Sequence, residues 1–342
     1  MASNALADGK IGCLVAQGLG DAIGFLVEGH HPLVCSAFVA EAWARETAPG
    51  RTRGSFSFGQ YSDDTQLARE LALSFVHSKG WNPADFARRL AQLFRDDTIV
   101  GRGQATQAAA ERILRGIPWD KAGEPAPSAG NGAAMRAAPV GLMGFGSDDR
   151  WRIADEQARI THLDLRSRAA AILVADVVGD LLDGRDPYDP SWSAHLAERV
   201  ASMDQALSEG VRSMPALLSA SEDDAATWIA KAGTAPAGSA HKFEQWHGIS
   251  PFATPSVLFA LYAFLRSPRD ADAVLRCSVA VGGDVDTVAA MAGAMVGAHV
   301  GWSGLSDRLR RWAERLNDQG TFGLEELSAL AQSLGREQPS GA

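Results

Sequence analysis

The stretch 282-GGDVDTVAAMAGAMVGAHVG-301 sets two carboxylates, Asp284 and Asp286, and the hydroxyl of Thr287 ahead of a run with no formal charge. The run is long, lacks proline and shows no strict alternation, which predicts a buried α-helix rather than a strand. Gly293, Gly297 and Gly301 recur at four-residue spacing on one helical face. Missing side chains there make a groove that a second helix can enter closely. The helix is therefore expected at the centre of the fold, with its N-terminal end fixed by packing. Gly282 and Gly283 permit a tight turn just before it. The run is short for a bilayer once Thr287 and His299 are discounted, so no membrane association is expected.

The same helical period appears outward from this segment. "TQLARELALSFV" places Leu67, Leu71 and Phe75 four apart, and "ADFARRLAQLF" does so with Phe86, Leu90 and Phe94. "RSRAAAILVADVVGDLL" and "PSVLFALYAFL" are apolar nearly all round, as helices buried on most sides are. Alternating β-branched runs are missing. The expectation is an all-α fold, one compact helical domain over residues 1–334 with a loose tail over 335–342, broken by Gly/Pro loops.

Composition narrows the function. The chain has 342 residues, 46% of them hydrophobic and 21% charged, with a net charge of −9. An acidic balance argues against a general nucleic-acid binder. An anionic ligand would need backbone amides or a metal to hold it. Cys13, Cys35 and Cys277 form no CxxC pair, so neither a zinc site nor a disulfide framework is suggested. "MASNALADGK" has no basic and apolar leader pattern, and a cytoplasmic location is expected.

A second acidic cluster, "YSDDTQLA", holds Ser62, Asp63, Asp64 and Thr65. Asp63 with Gln66 three positions on fits a capping box. One acid suffices for a cap, so Asp64 is left over, and adjacent carboxylates entering an apolar helix repel each other unless a cation lies between them. Asp284 is open to the same two roles, N-cap or metal ligand. If the two helix starts face each other, four carboxylates and two hydroxyls meet. Such hard oxygen donors suit Mg²⁺, Mn²⁺ or Ca²⁺ and not zinc or copper.

Other polar positions carry weaker signals. In "SAGNGAAMRAAPVGL", Gly130, Asn131 and Gly132 before small residues can present successive amides to a phosphate, though many such triplets are plain turns. Arg136 suits a structural role. Glu28 lies in a glycine-bounded loop after a helix, expected from about Ile11, that carries Asp21. His162 in "ITHLD" suits a ligand contact or a satisfied helix end equally. Phe243 and Trp246 could stack on a base or form a packed lid.

With "GDAIGFLVEG", "YSDDTQLA", "GNGAAMRAAPVGL", "THLD", "TPSVLFALYAFLRSP" and "VGGDVDTVAAMAGAMVGAHVG" in this order, the chain resembles the ADP-ribosylglycohydrolase family from about Ile11 to about Leu316. The resemblance implies an all-α domain with two Mg²⁺ or Mn²⁺ ions held by Ser62, Asp63, Asp64, Asp284, Asp286 and Thr287. It implies Glu28 in a loop over the metals, with Glu28 or Asp64 as the catalytic carboxylate. Gly130, Asn131, Gly132, Ala133, Ala134 and Met135 would hold the pyrophosphate of ADP-ribose, and His162 would lie along the ligand. The implied reaction is hydrolysis of the N- or O-glycosidic bond between ADP-ribose and an acceptor, arginine on protein first among them. One departure bears on the linkage. Where arginine-processing relatives are expected to carry an acid, this chain has Gly101 and Arg102. A non-catalytic ADP-ribose or nucleotide binder and a dinuclear phosphohydrolase acting on the pyrophosphate are the competing functions.

Overall fold

The computed structural model describes residues 2–233 and 246–335, and eighteen α-helices make up most of these described residues. Thr52–Arg53 and Phe56–Ser57 form a two-residue antiparallel pair, the only sheet among the described residues. The all-α expectation holds. One continuous buried cluster runs from Cys13 to Leu334.

The centre is a pair of helices, Ala2–Phe25 and Val285–Val300. Their contact is a glycine seam. A Cβ at Gly293 would lie 2.2 Å from the Ala16 carbonyl oxygen, and one at Gly297 2.1 Å from that of Gly12. The partner reciprocates, since a Cβ at Gly20 would lie 2.1 Å from the Ala289 oxygen and one at Gly24 2.5 Å from the Asp286 nitrogen. Backbone meets backbone, and any side chain larger than hydrogen would separate the helices. Gly301 departs from the expected seam. It sits past the helix end at φ +72° and terminates the helix. The first helix begins at Ala2 rather than near Ile11, because Gly9 and Gly12 extend the same close packing toward the N-terminus.

The Leu165–Leu182 and Ala253–Arg266 helices flank this pair and are buried on almost every side. In the Asp63–Ser78 helix, Leu67, Leu71 and Phe75 face the core as their spacing predicts. No helix is long and apolar enough to cross a membrane among the described residues. Residues 234–245 and 336–342 lie outside the described ones, and with them Phe243 and all of the expected tail except Gly335.

Candidate active site

The two acidic helix starts, more than two hundred residues apart in sequence, converge. Asp63, Asp64, Asp284 and Asp286 are all buried. Each is held above the ordinary carboxylate range, first by burial and then by other acids of the group. For Asp63 those acids include Asp21, Glu28 and Asp284, and its pKa reaches about 8. Asp284 reaches about 7, with Glu28 as its chief neighbour. Charges felt across the two clusters place them in one site.

Capping explains little of this. Ser62, not Asp63, caps the Asp63–Ser78 helix, its oxygen accepting from the Asp64 amide at 3.3 Å. Gln66 does not close a capping box; its amide bonds Thr98 and Asp318 instead. Asp284 stands at the N-cap of the Val285–Val300 helix, yet its side chain caps nothing. It accepts from the Asn131 side chain, so the "GNG" turn meets the second acidic cluster directly. One oxygen of Asp64, Oδ1, is buried with no hydrogen-bond partner, while Oδ2 accepts from the Ser62 hydroxyl at 2.8 Å. Glu28, Asp284 and Asp286 each offer a carboxylate oxygen within 4.8 Å of the others, a spacing that can hold a metal ion.

Backbone geometry fixes the second cluster. Gly282 and Gly283 have φ of +76° and +86°. A Cβ on Gly283 would lie 2.1 Å from the Ile249 oxygen and one on Gly282 2.6 Å from the Pro32 nitrogen. The Gly29 amide donates to Gly283 at 2.8 Å, and the Gly283 amide to His30 at 3.0 Å. The Glu28 loop is thereby laced to the strand of chain that delivers Asp284.

Three residues to which sequence reasoning gave no role in the site complete the frame. Asp21, fully buried in the first helix, accepts from the Ser62 amide (2.8 Å), the Thr65 amide (3.0 Å) and the Thr65 hydroxyl (2.6 Å). It ties the first acidic cluster to the central helix pair; burial raises its pKa to about 6. Arg53, from the small hairpin, donates to Glu28 at 2.6 Å and to the Phe25 carbonyl at 2.7 Å, stacked over the Phe25 ring. Gln17 donates to the Met135 carbonyl at 2.9 Å. Asp21 stood in plain view as a buried acid of an apolar helix; nothing in the local sequence around Arg53 pointed to Glu28.

The Gly130–Met135 segment differs in part from a phosphate cradle of successive amides. The amides of Ala134 and Met135 both donate to the Asn131 carbonyl, at 2.8 and 3.1 Å, and that of Asn131 to Pro251. Among the described residues, Gly130, Gly132 and Ala133 are the loop positions whose amides meet no backbone acceptor. The His162 ring lies against this loop. A Cβ at Gly130 would be 3.2 Å from its Nε2, and one at Gly132 3.2 Å from its Cε1. Its Nδ1 pairs with the Thr161 hydroxyl at 2.8 Å. Burial, then the nearby Arg136 charge, lowers its pKa to about 3, so the ring is neutral. Arg136 is fully buried and bonds the Gln157 side chain, the Gln157 and Gly132 carbonyls and the Thr161 hydroxyl, no acid among them. Its role is to brace the loop. Trp246 is half-buried beside His247, whose ring packs on His31. Gly101 lies against Asp63; a Cβ there would be 2.7 Å from Oδ1.

A protein-family model described as ADP-ribosylglycohydrolase matches residues 2–341. The chain belongs to the ADP-ribosylglycohydrolase family. ADP-ribosylhydrolase ARH3 of Mus musculus is 29% identical over 351 residues, covering 95% of this chain and 90% of that protein. ADP-ribosylarginine hydrolase Tri1 of Pseudomonas putida is 27% identical over 294 residues, covering 80% of this chain and 70% of the relative. A solved structure of an ADP-ribosylglycohydrolase-related protein complex superposes with a TM-score of 0.70 at 28% identity, covering 97% of this chain and 98% of that one. Family membership accounts for the all-α fold.

Proposed function

We propose that this protein is a divalent-metal-dependent hydrolase that cleaves the glycosidic bond between ADP-ribose and an acceptor. The observation that carries the proposal is the convergence of four buried, mutually repelling carboxylates, one with a partnerless buried oxygen. A buried set of like charges is costly unless cations offset it. Every donor in the set is a hard oxygen, which fits two Mg²⁺ or Mn²⁺ ions held by Ser62, Asp63, Asp64, Asp284, Asp286 and Thr287. Divalent ions bound there supply Lewis acidity and a nucleophilic water at neutral pH.

The chain's own residues do the rest. Glu28 is the acid of the group on the solvent side, its side chain 26% exposed, and Arg53 holds it over Asp284 and Asp286. That exposure and proximity support Glu28 as the acceptor of the proton from the attacking water. Asp64 is enclosed and suits a ligand rather than a base. Asn131 keeps Asp284 oriented, and the Gly132–Ala133 amides with the His162 face offer a neutral bed for the pyrophosphate.

Arginine is the acceptor proposed first, because the Tri1 relatives are ADP-ribosylarginine hydrolases. The test is a panel of ADP-ribosylated arginine, serine and acetyl substrates with Mg²⁺ or Mn²⁺. Release of free ADP-ribose, abolished by chelator and restored by metal, is expected. Release of AMP would identify a phosphohydrolase instead, and binding without turnover a reader.

A further inference from the structure

The turn at 317–322 lies far from the acidic motifs in sequence, yet it grips the first of them from both sides. Before the motif, the Asn317 amide donates to the Gly59 carbonyl at 2.9 Å, and the Gln319 amide to the Gln60 side chain at 2.8 Å. The Tyr61 hydroxyl donates to the Phe322 carbonyl at 2.9 Å. After the motif, Asp318 accepts from Gln66 at 2.8 Å and from Arg69 at 2.6 Å, all three side chains being buried.

Gln66 extends the grip to a third segment. Its Oε1 accepts from the Val100 amide at 2.8 Å and its Nε2 donates to the Thr98 carbonyl at 2.9 Å. Gln319 donates to the same carbonyl at 2.8 Å. The segment so held closes on Asp63, since the Asp63 amide donates to Val100 at 2.6 Å and Gly101 abuts the carboxylate. The turn itself is strained. Gln319 and Phe322 sit at φ of +50° and +49°, a region that side chains rarely adopt. Such strain persists only where surrounding bonds over-determine it.

We infer that the 317–322 turn, acting through Gln66 and Gln319, is a positioning element that fixes Asp63 and its supporting 98–101 segment for metal binding. The inference rests on the proposed metal site. It assigns Gln66 and Gln319 no contact with substrate; they act through Thr98, Val100 and Gly101. Partners of this kind around a metal site typically change affinity by roughly tenfold to a hundredfold when removed.

The test is titration of Mn²⁺ into the metal-stripped full chain, with thermal melts alongside. Gln66→Leu keeps the volume and removes all three bonds; its Mn²⁺ Kd is expected to weaken by about tenfold or more. Gln319→Gly removes one bond to Thr98 while relieving the left-handed backbone. Its Tm is expected to hold or rise while Mn²⁺ affinity falls and kcat drops at constant KM. A purely structural role would move Tm with affinity unchanged. Parent-like Mn²⁺ affinity in Gln319→Gly overturns the inference, whether or not Gln66→Leu folds. If the parent binds no Mn²⁺, the metal site is refuted and the inference falls with it.

Discussion

The Asp63–Ser78 and Val285–Val300 helices both open on a pair of acids, yet their starts are held by different physics. The first is polar far into its length, with Gln66, Arg69 and Glu70 buried among hydrogen bonds and ion pairs. The second carries no charge beyond Asp286 until His299 and is fixed by backbone-to-backbone contact with the first helix of the chain. A directional polar network can tune one carboxylate by one bond at a time. A glycine seam cannot be tuned; it is either closed or broken. One site is thus assembled from an adjustable half and a rigid half.

The largest expected effect tests whether the rigid half carries the chemistry. Asp284→Asn/Asp286→Asn is expected to lower ADP-ribose release by about a thousandfold or more, measured under saturating Mn²⁺. At pH 8 the metal-free form of this variant should melt at a higher temperature than the metal-free parent, because neutral amides replace buried carboxyls that resist ionising there. Loss of activity with a lowered metal-free Tm would mean the acids serve the fold instead.

Next comes the seam. Gly293→Val forces a side chain against the Ala16 carbonyl, whereas Ser62→Ala removes one cap from the polar half. Overpacking costs about 3 kcal/mol or more at such a contact, and a lost cap about 1 kcal/mol. Denaturant unfolding of the two variants should show that order. Equal losses would erase the distinction between the halves.

The rigid half was the legible one. Glycines at four-residue spacing and an uninterrupted apolar run predict the central helix and its close partner, and the structure differs only in giving Gly301 the terminating role. The apolar periodicity of Leu67, Leu71 and Phe75 likewise sets their helix. The polar half was legible only in its acids. Gln66 reads locally as a capping residue, and its real partners, Thr98, Val100 and Asp318, are 32 to 252 residues away. Arg53 and Glu28 are 25 apart with no periodic relation. Local pattern records what a helix buries; it does not record which distant polar group that helix will meet. The Gly130–Met135 amides show the same limit, since the internal bonds that occupy two of them follow from turn geometry and not from residue type.

A smaller effect separates the halves from their metal. Asp63 and Asp284 are held up to about 8 and about 7, by burial first and neighbouring acids second. Unfolded aspartates titrate near pH 4, so between these limits the folded metal-free chain binds protons that the unfolded chain has released. This contribution to stability is full below about pH 4 and is lost as pH rises through about 7 to 8. Melts of metal-free protein should therefore fall by several degrees from pH 5 to pH 8. With Mn²⁺ present the fall should shrink, because bound cations favour the ionised acids.

The smallest effect concerns Arg53. Its ion pair with Glu28 is partly exposed, 39% and 26% for the two side chains, so Arg53→Ala should cost under about 1 kcal/mol of stability. Position matters more than energy here, because Arg53 also anchors the Phe25 carbonyl and stacks on the Phe25 ring at the root of the Glu28 loop. If Glu28 is the proton acceptor, kcat should fall about tenfold while the Mn²⁺ Kd stays near the parent value. Arg53→Lys should recover only part of the loss, since an ammonium lacks the guanidinium's planar face for the Phe25 ring. An Arg53→Ala enzyme with unaltered kcat would return Glu28 to the role of a surface loop residue and leave proton transfer to the enclosed acids of the two helix starts.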